Sequence, residues 1–157
     1  MSPEGSREKP WTIQRAVLRE LEAHARAERP RECCGTLIGV AGQVFESRRA
    51  ANLSDDPNRF LLEPRAHVAA LRETRRRELQ VVGFYHSHPH SAPLPSPTDL
   101  AESTYPEALH IIVGLGGGPG GDGLEVRAYY LRGTHYVEVP LAATGAIEAG
   151  GQPGAAS

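Results

Sequence analysis

Three histidines, three serines and an aspartate stand within the seventeen residues of GFYHSHPHSAPLPSPTD, from Gly83 to Asp99. An apolar run, Val81, Val82, Phe84 and Tyr85, leads into this string and predicts a buried strand. Alternate side chains of a strand share a face, so His86 and His88 point the same way at its end, about 6–7 Å apart along the chain. Two imidazoles at that separation can bind one metal ion. A connector with prolines at 89, 93, 95 and 97 follows, and fixed φ angles reduce the entropy lost when such a loop is ordered. Then comes Ser-Pro-Thr-Asp, where Ser96 or Thr98 could cap a short helix with Asp99 in its first turn. Two histidines and one carboxylate make three protein ligands and leave a fourth tetrahedral position for water, the arrangement of a catalytic rather than a structural zinc. The chemistry expected of it is hydrolysis.

The elements that must position these residues follow from periodicity and punctuation. From Thr12 the apolar positions Ile13, Val17, Leu21 and Ala25 recur at helical spacing and predict an amphipathic helix that ends before Pro30, with His24 at its surface or boundary. Residues 33–40 (CCGTLIGV) and 43–50 (QVFESRRA), split by Ala41-Gly42, predict a hairpin. A turn-rich loop, NLSDDPN, and a short strand over Arg59–Leu62 come next. Pro64 suits the first turn of a second helix, with Val68, Leu71 and Leu79 on its buried side. Arg75, Arg76 and Arg77 end that helix, where cations complement its dipole with or without an acidic partner. After the motif strand and a short helix over Leu100–Ser103, Ala108–Leu115 predicts a central strand. The glycine run from Gly116 to Gly123 lacks a P-loop's Gly-Lys-Ser/Thr ending and is expected to be a connector. Leu124–Leu131 and His135–Val139 complete the sheet through an Arg132-Gly133 turn. Strands and helices mix without strict alternation, so the expected class is α/β (α+β), a mixed curved sheet flanked by helices.

Composition excludes several partners. The chain has 157 residues, the size of one domain, expected over 11–140 with disordered ends at 1–10 and 141–157. With 17 basic and 19 acidic residues it carries no electrostatic footprint for nucleic acid or an anionic membrane. No apolar run approaches a membrane span, and no basic start precedes an apolar stretch, so the expected location is cytoplasmic. Cys33 and Cys34 are adjacent and face opposite sides of a strand, so they cannot bridge each other and are expected in the core.

His-x-His, seven residues, then Ser-x-x-Asp closely resembles the JAMM motif of the MPN-plus metalloproteases. That family also requires a glutamate upstream at the start of a strand, and Glu32 in RPRECCGTLIG matches it. The resemblance covers residues 11–140 and implies an α/β sandwich similar to the cytidine-deaminase fold. It implies Zn²⁺ held by His86, His88 and Asp99, with Glu32 carrying a proton from water to the leaving amine and Ser96 donating a hydrogen bond to the tetrahedral oxyanion. It leaves His90 off the metal, and His67, His110 and His135, isolated in sequence, are expected to be structural. Deamination is the rival zinc chemistry, but the Pro-Cys-x-x-Cys ligand string of zinc deaminases is absent. Singly, each motif residue could be ordinary: core or surface histidines, a first-turn aspartate, a capping serine. Together, at the family spacing, they point to a metal site. Small stand-alone bacterial members look like proteases of ubiquitin-like sulfur-carrier proteins, which implies cleavage after a C-terminal diglycine. The absence of long insertions here suits that type. The alternative is a non-catalytic MPN scaffold, although such relatives usually lack motif ligands that this chain retains.

Overall fold

Two periodicities overlap at the start of the chain. Ile13 fits the helical spacing of Val17, Leu21 and Ala25, but it also alternates with Trp11. The structure is a computed structural model that describes residues 9–96, 107–117 and 123–145. Among these residues the elements run β1 (Trp11–Gln14), α1 (Arg15–Glu28), β2 (Cys34–Val40), β3 (Gln43–Ala50), α2 (Pro64–Arg76), β4 (Gln80–His88), β5 (Leu109–Gly117), β6 (Gly123–Arg132), β7 (His135–Val139) and β8 (Leu141–Thr144).

The strand alternation wins at residues 11–14, so the expected helix start at Thr12 is corrected to Arg15. The cause is main-chain pairing on both sides, since β1 runs parallel to both β3 and β8. β8 corrects a second expectation, that the chain is disordered from Leu141. Its Leu-Ala-Ala-Thr has few core formers, but strand pairing uses backbone groups that every residue carries. The Trp11 N–H donates to the Pro140 carbonyl at 2.9 Å, and Thr144 Oγ1 donates to the Ile13 carbonyl at 3.4 Å. The remainder of the two expected tails, residues 1–8 and 146–157, lies outside the described residues, as do the motif helix and most of the glycine connector.

The eight strands form one mixed sheet in the order β7-β6-β5-β4-β2-β3-β1-β8. The sheet curls until β1 meets β6, and there the Trp11 indole N–H donates to the Tyr130 hydroxyl at 2.6 Å. Helix α1 packs on one face of the sheet through Val17, Leu21, His24 and Ala25, all buried. Helix α2 covers β4, β2 and β3 from the other face. Its buried residues are Ala70 and Thr74, whereas Val68 and Leu71 are about half exposed. The expected apolar stripe is therefore corrected: α2 sits close to the sheet on its small residues, with Thr74 Oγ1 satisfied by the Ala70 carbonyl at 2.8 Å. Its last turn is tied to β3, where Arg48 and Arg77 pair with Glu46 and Glu73. The expected strand over Arg59–Leu62 reduces to a single bridge, Asn52 with Leu62. Both hairpin turns carry a glycine with positive φ, Gly42 at 86° and Gly133 at 63°, a conformation that side chains disfavour.

His24 is another correction, because it is buried and shares a 2.7 Å hydrogen bond with the Tyr85 hydroxyl, joining α1 to β4. Gly35 leaves room for that tyrosine. A Cβ there would stand 2.2 Å from the Arg48 carbonyl oxygen and 2.5 Å from the Tyr85 ring. Gly35→Ala is therefore expected to destabilise the fold by about 1–3 kcal/mol, lowering the urea midpoint at unchanged m value. Burial also holds the His24 pKa below its ordinary 6.5. The unfolded chain then binds more protons than the folded one, so stability falls as pH drops below 6.5 toward the folded pKa. Denaturant titrations over that range should show a shallower loss on acidification in His24→Gln than in the wild type.

Candidate functional site

The site is built at the C-terminal end of β4, where strand alternation separates two sets of side chains. Tyr85 faces α1, and Phe84 lies edge-on against His67 of α2. His86 and His88 follow Phe84 on its side, both less than 8 % exposed. Their Nε2 atoms stand 3.3 Å apart. His88 Nδ1 lies 3.0 Å from the Ala92 carbonyl. A carbonyl can only accept, so Nδ1 carries the proton and Nε2 offers its lone pair toward His86. A backbone partner on the far nitrogen is how metal-ligating imidazoles are usually oriented.

Ser87, between the two histidines, faces the other way and is fully buried. It exchanges two hydrogen bonds with the residue after Glu32: the Cys33 N–H donates to Ser87 Oγ at 2.8 Å, and the Ser87 N–H donates to the Cys33 carbonyl at 3.1 Å. One residue on, Cys34 is in register with His86. The buried Glu32 is thereby fixed at the same end of the sheet as the imidazole pair. Loop 52–62 closes over it, with the Asn52 side-chain amide donating to the Glu32 carbonyl at 2.9 Å and Phe60 stacked on His86 at a ring separation of 4.3 Å.

The connector after His88 is held by β5 and β6. Tyr129 donates its hydroxyl to the Pro93 carbonyl at 2.8 Å, and the Gly116 N–H donates to the Ser91 carbonyl at 3.3 Å. Gly114 supplies the space, since a Cβ there would meet Pro93 at 2.6 Å. Ser96 ends the described part of this connector and is half-buried. Asp99 lies outside the described residues, and among the described ones no three histidine, cysteine or acidic side chains gather as a metal site. His90 and His135 are exposed, and His110 packs against Phe84 and Tyr136.

The donor set present fits a zinc ion. Tetrahedral coordination with bonds of about 2.0–2.1 Å sets two ligand nitrogens roughly 3.3–3.4 Å apart, and the histidine pair stands at 3.3 Å. Burial pushes the Cys33 thiol up to about 11 and the Cys34 thiol to about 12, so neither is a free, reactive thiolate near neutrality.

Sequence reasoning missed Ser87, Asn52 and Phe60. Ser87 had a usable signal, because the same alternation that pairs His86 with His88 sends it to the opposite face. Asn52 and Phe60 sit in a turn-rich segment whose path depends on side-chain hydrogen bonds.

A curled mixed sheet with two helices is a fold shared with JAB/MPN domain proteins. A solution structure from Desulfitobacterium hafniense superposes with a TM-score of 0.75 at 24 % identity, covering 87 % of this chain and 94 % of that one. A JAB1/MPN domain protein from Archaeoglobus fulgidus gives 0.53 at 24 %, covering 83 % and 98 %. At those identities the likeness shows the fold alone. The chain itself belongs to the prokaryotic homologues of the JAB domain, whose family model matches residues 14–129. Among curated relatives it is 32 % identical over 100 residues to a desampylase of Haloferax volcanii, covering 62 % of this chain and 72 % of that protein. It is 32 % identical over 120 residues to a probable TtuB-protein conjugate cleaving protease of Thermus thermophilus, covering 76 % and 74 %. It is 29 % identical over 103 residues to a CysO-cysteine peptidase of Mycobacterium tuberculosis, covering 64 % and 70 %.

Ser87→Ala leaves the buried Cys33 N–H without its side-chain acceptor. The expected cost is about 1–3 kcal/mol by denaturant titration, with faster hydrogen exchange at the Cys33 amide than in the wild type.

Proposed function

We propose that this protein is a zinc-dependent peptidase that hydrolyses an amide or isopeptide bond after the C-terminal diglycine of a ubiquitin-like protein of the sulfur-carrier type. The observation that carries the reading is the His86–His88 pair, buried and convergent at 3.3 Å, with Glu32 held at the same end of the sheet. His86, His88 and Asp99 would hold the ion. When bound, zinc supplies a Lewis acid and makes water a nucleophile near neutral pH.

The remaining work falls to the chain's own residues. Glu32 takes the proton of the attacking water and returns it to the leaving amine. Ser96 donates a hydrogen bond to the oxyanion as the carbonyl becomes tetrahedral. Phe60 covers one face of the His86 ring, and the Ala92 carbonyl keeps His88 in the required tautomer. The relatives' names speak of protein conjugates and of a cysteine adduct, which fits an adduct on a carrier's C-terminus. Diglycine suits a narrow approach because it presents no side chain to the walls. A cytoplasmic location fits such a substrate.

Protein purified without chelator should carry close to one zinc, and His86→Ala or His88→Ala should lose it. Glu32→Gln should keep fold and zinc while turnover drops about 10²–10⁴-fold. The functional test is to follow by mass the loss of a C-terminal cysteine or lysine adduct from sulfur-carrier proteins. Cleavage by wild type but not by Glu32→Gln, slowed when the penultimate glycine is alanine, supports the peptidase. No cleavage of any adduct, together with recovery of the protein in a stable complex, favours the scaffold instead.

A further inference from the structure

The loop between β3 and α2 touches the site twice, and one side chain governs both contacts. Asn52 stands two residues beyond the end of β3 and uses all four hydrogen-bonding positions of its amide. Nδ2 donates to the Glu32 carbonyl at 2.9 Å and to the Arg59 carbonyl at 3.0 Å. Oδ1 accepts from the Ser54 N–H at 2.9 Å and from the Leu61 N–H at 2.9 Å. Two carbonyls on one end and two N–H groups on the other leave a single orientation for the amide. The Arg59 and Leu61 bonds bracket Phe60, so the residue whose ring stacks on His86 is held from both sides by one side chain. The backbone follows the same path, with the Leu53 N–H donating to the Leu61 carbonyl at 2.8 Å and the Glu63 N–H to the Ala51 carbonyl at 3.1 Å. Arg31, next to Glu32, reaches back to the carbonyls of Asn52 and Ser54.

We propose that Asn52 is a positioning residue: it latches loop 52–62 to the Glu32 carbonyl, and so sets the proton-carrying glutamate and the ring on His86 as one unit. The role for Glu32 rests on the peptidase reading given above. A turn asparagine needs only its own loop as partner, whereas Asn52 spends one donor on a residue twenty positions upstream. Asn52→Asp keeps half of this set, because a carboxylate still accepts from Ser54 and Leu61 but cannot donate to Glu32 or Arg59. Asn52→Ala removes all four bonds.

The test reads the His86 ring protons by NMR in the full zinc-loaded chain, alongside turnover. A stacked phenyl ring moves protons on its face upfield, and Phe60→Leu gives the value without the ring. In folded Asn52→Asp, the His86 resonances should move at least half the way to the Phe60→Leu position, and kcat should fall at least tenfold. Asn52→Ala, where it folds, should move them as far or further. Either readout remaining at the wild-type value in folded Asn52→Asp overturns the proposal and leaves Asn52 a turn residue. If the wild type cleaves no conjugate, the peptidase reading fails by itself. The His86 shift then decides, in metal-free protein, whether Asn52 holds the ring.

Discussion

The pair of hydrogen bonds between Ser87 and Cys33 is the constraint on which the rest of the site depends. Strand alternation makes Ser87 the one residue between the two histidines that faces away from them. By bonding both backbone groups of Cys33 it fixes where β2 begins relative to where β4 ends. A shift of one residue would turn every β4 side chain to the opposite face, and the imidazoles with them. The clamp therefore aligns Glu32, at the entrance to β2, with His86 and His88, at the exit of β4. Two elements far apart in sequence become one site through two hydrogen bonds.

Around that clamp the curled sheet divides its labour by face. On the α1 side, His24 and Tyr85 hold helix to strand, and Gly35 yields the space the tyrosine ring occupies. On the other side, the histidines emerge under Phe60. Loop 52–62 and the proline connector approach them from opposite directions, one latched by Asn52 and the other by Tyr129 and the glycines of β5. The site is thus supported by irregular segments whose backbone groups are satisfied by side chains of the sheet or of the loop. The adjacent cysteines are free thiols buried in the packing.

Much of this was legible in the sequence wherever one periodicity acted alone. The hairpin of β2 and β3, the central strand β5 and the shared face of His86 and His88 all follow from alternation or from turn residues. The reading failed where tertiary pairing decided. Trp11–Gln14 became a strand because β3 and β8 offered partners on both sides, and no local signal in Leu-Ala-Ala-Thr announces β8. Val68 and Leu71 carry a helical apolar spacing, but the sheet accepted the smaller Ala70 and Thr74 instead. His24 looked like a boundary residue because its partner, Tyr85, is sixty-one positions away. Asp99, read from the motif alone, lies outside the described residues.

In the proposed metal centre these two histidines act with oxygen donors and without the neighbouring cysteines. X-ray absorption at the zinc edge of the metal-loaded chain tests it directly. The expected result is scattering from two imidazole rings and light oxygen donors, with no sulfur at about 2.3 Å. A sulfur shell at that distance, or fewer than two imidazoles, would contradict it.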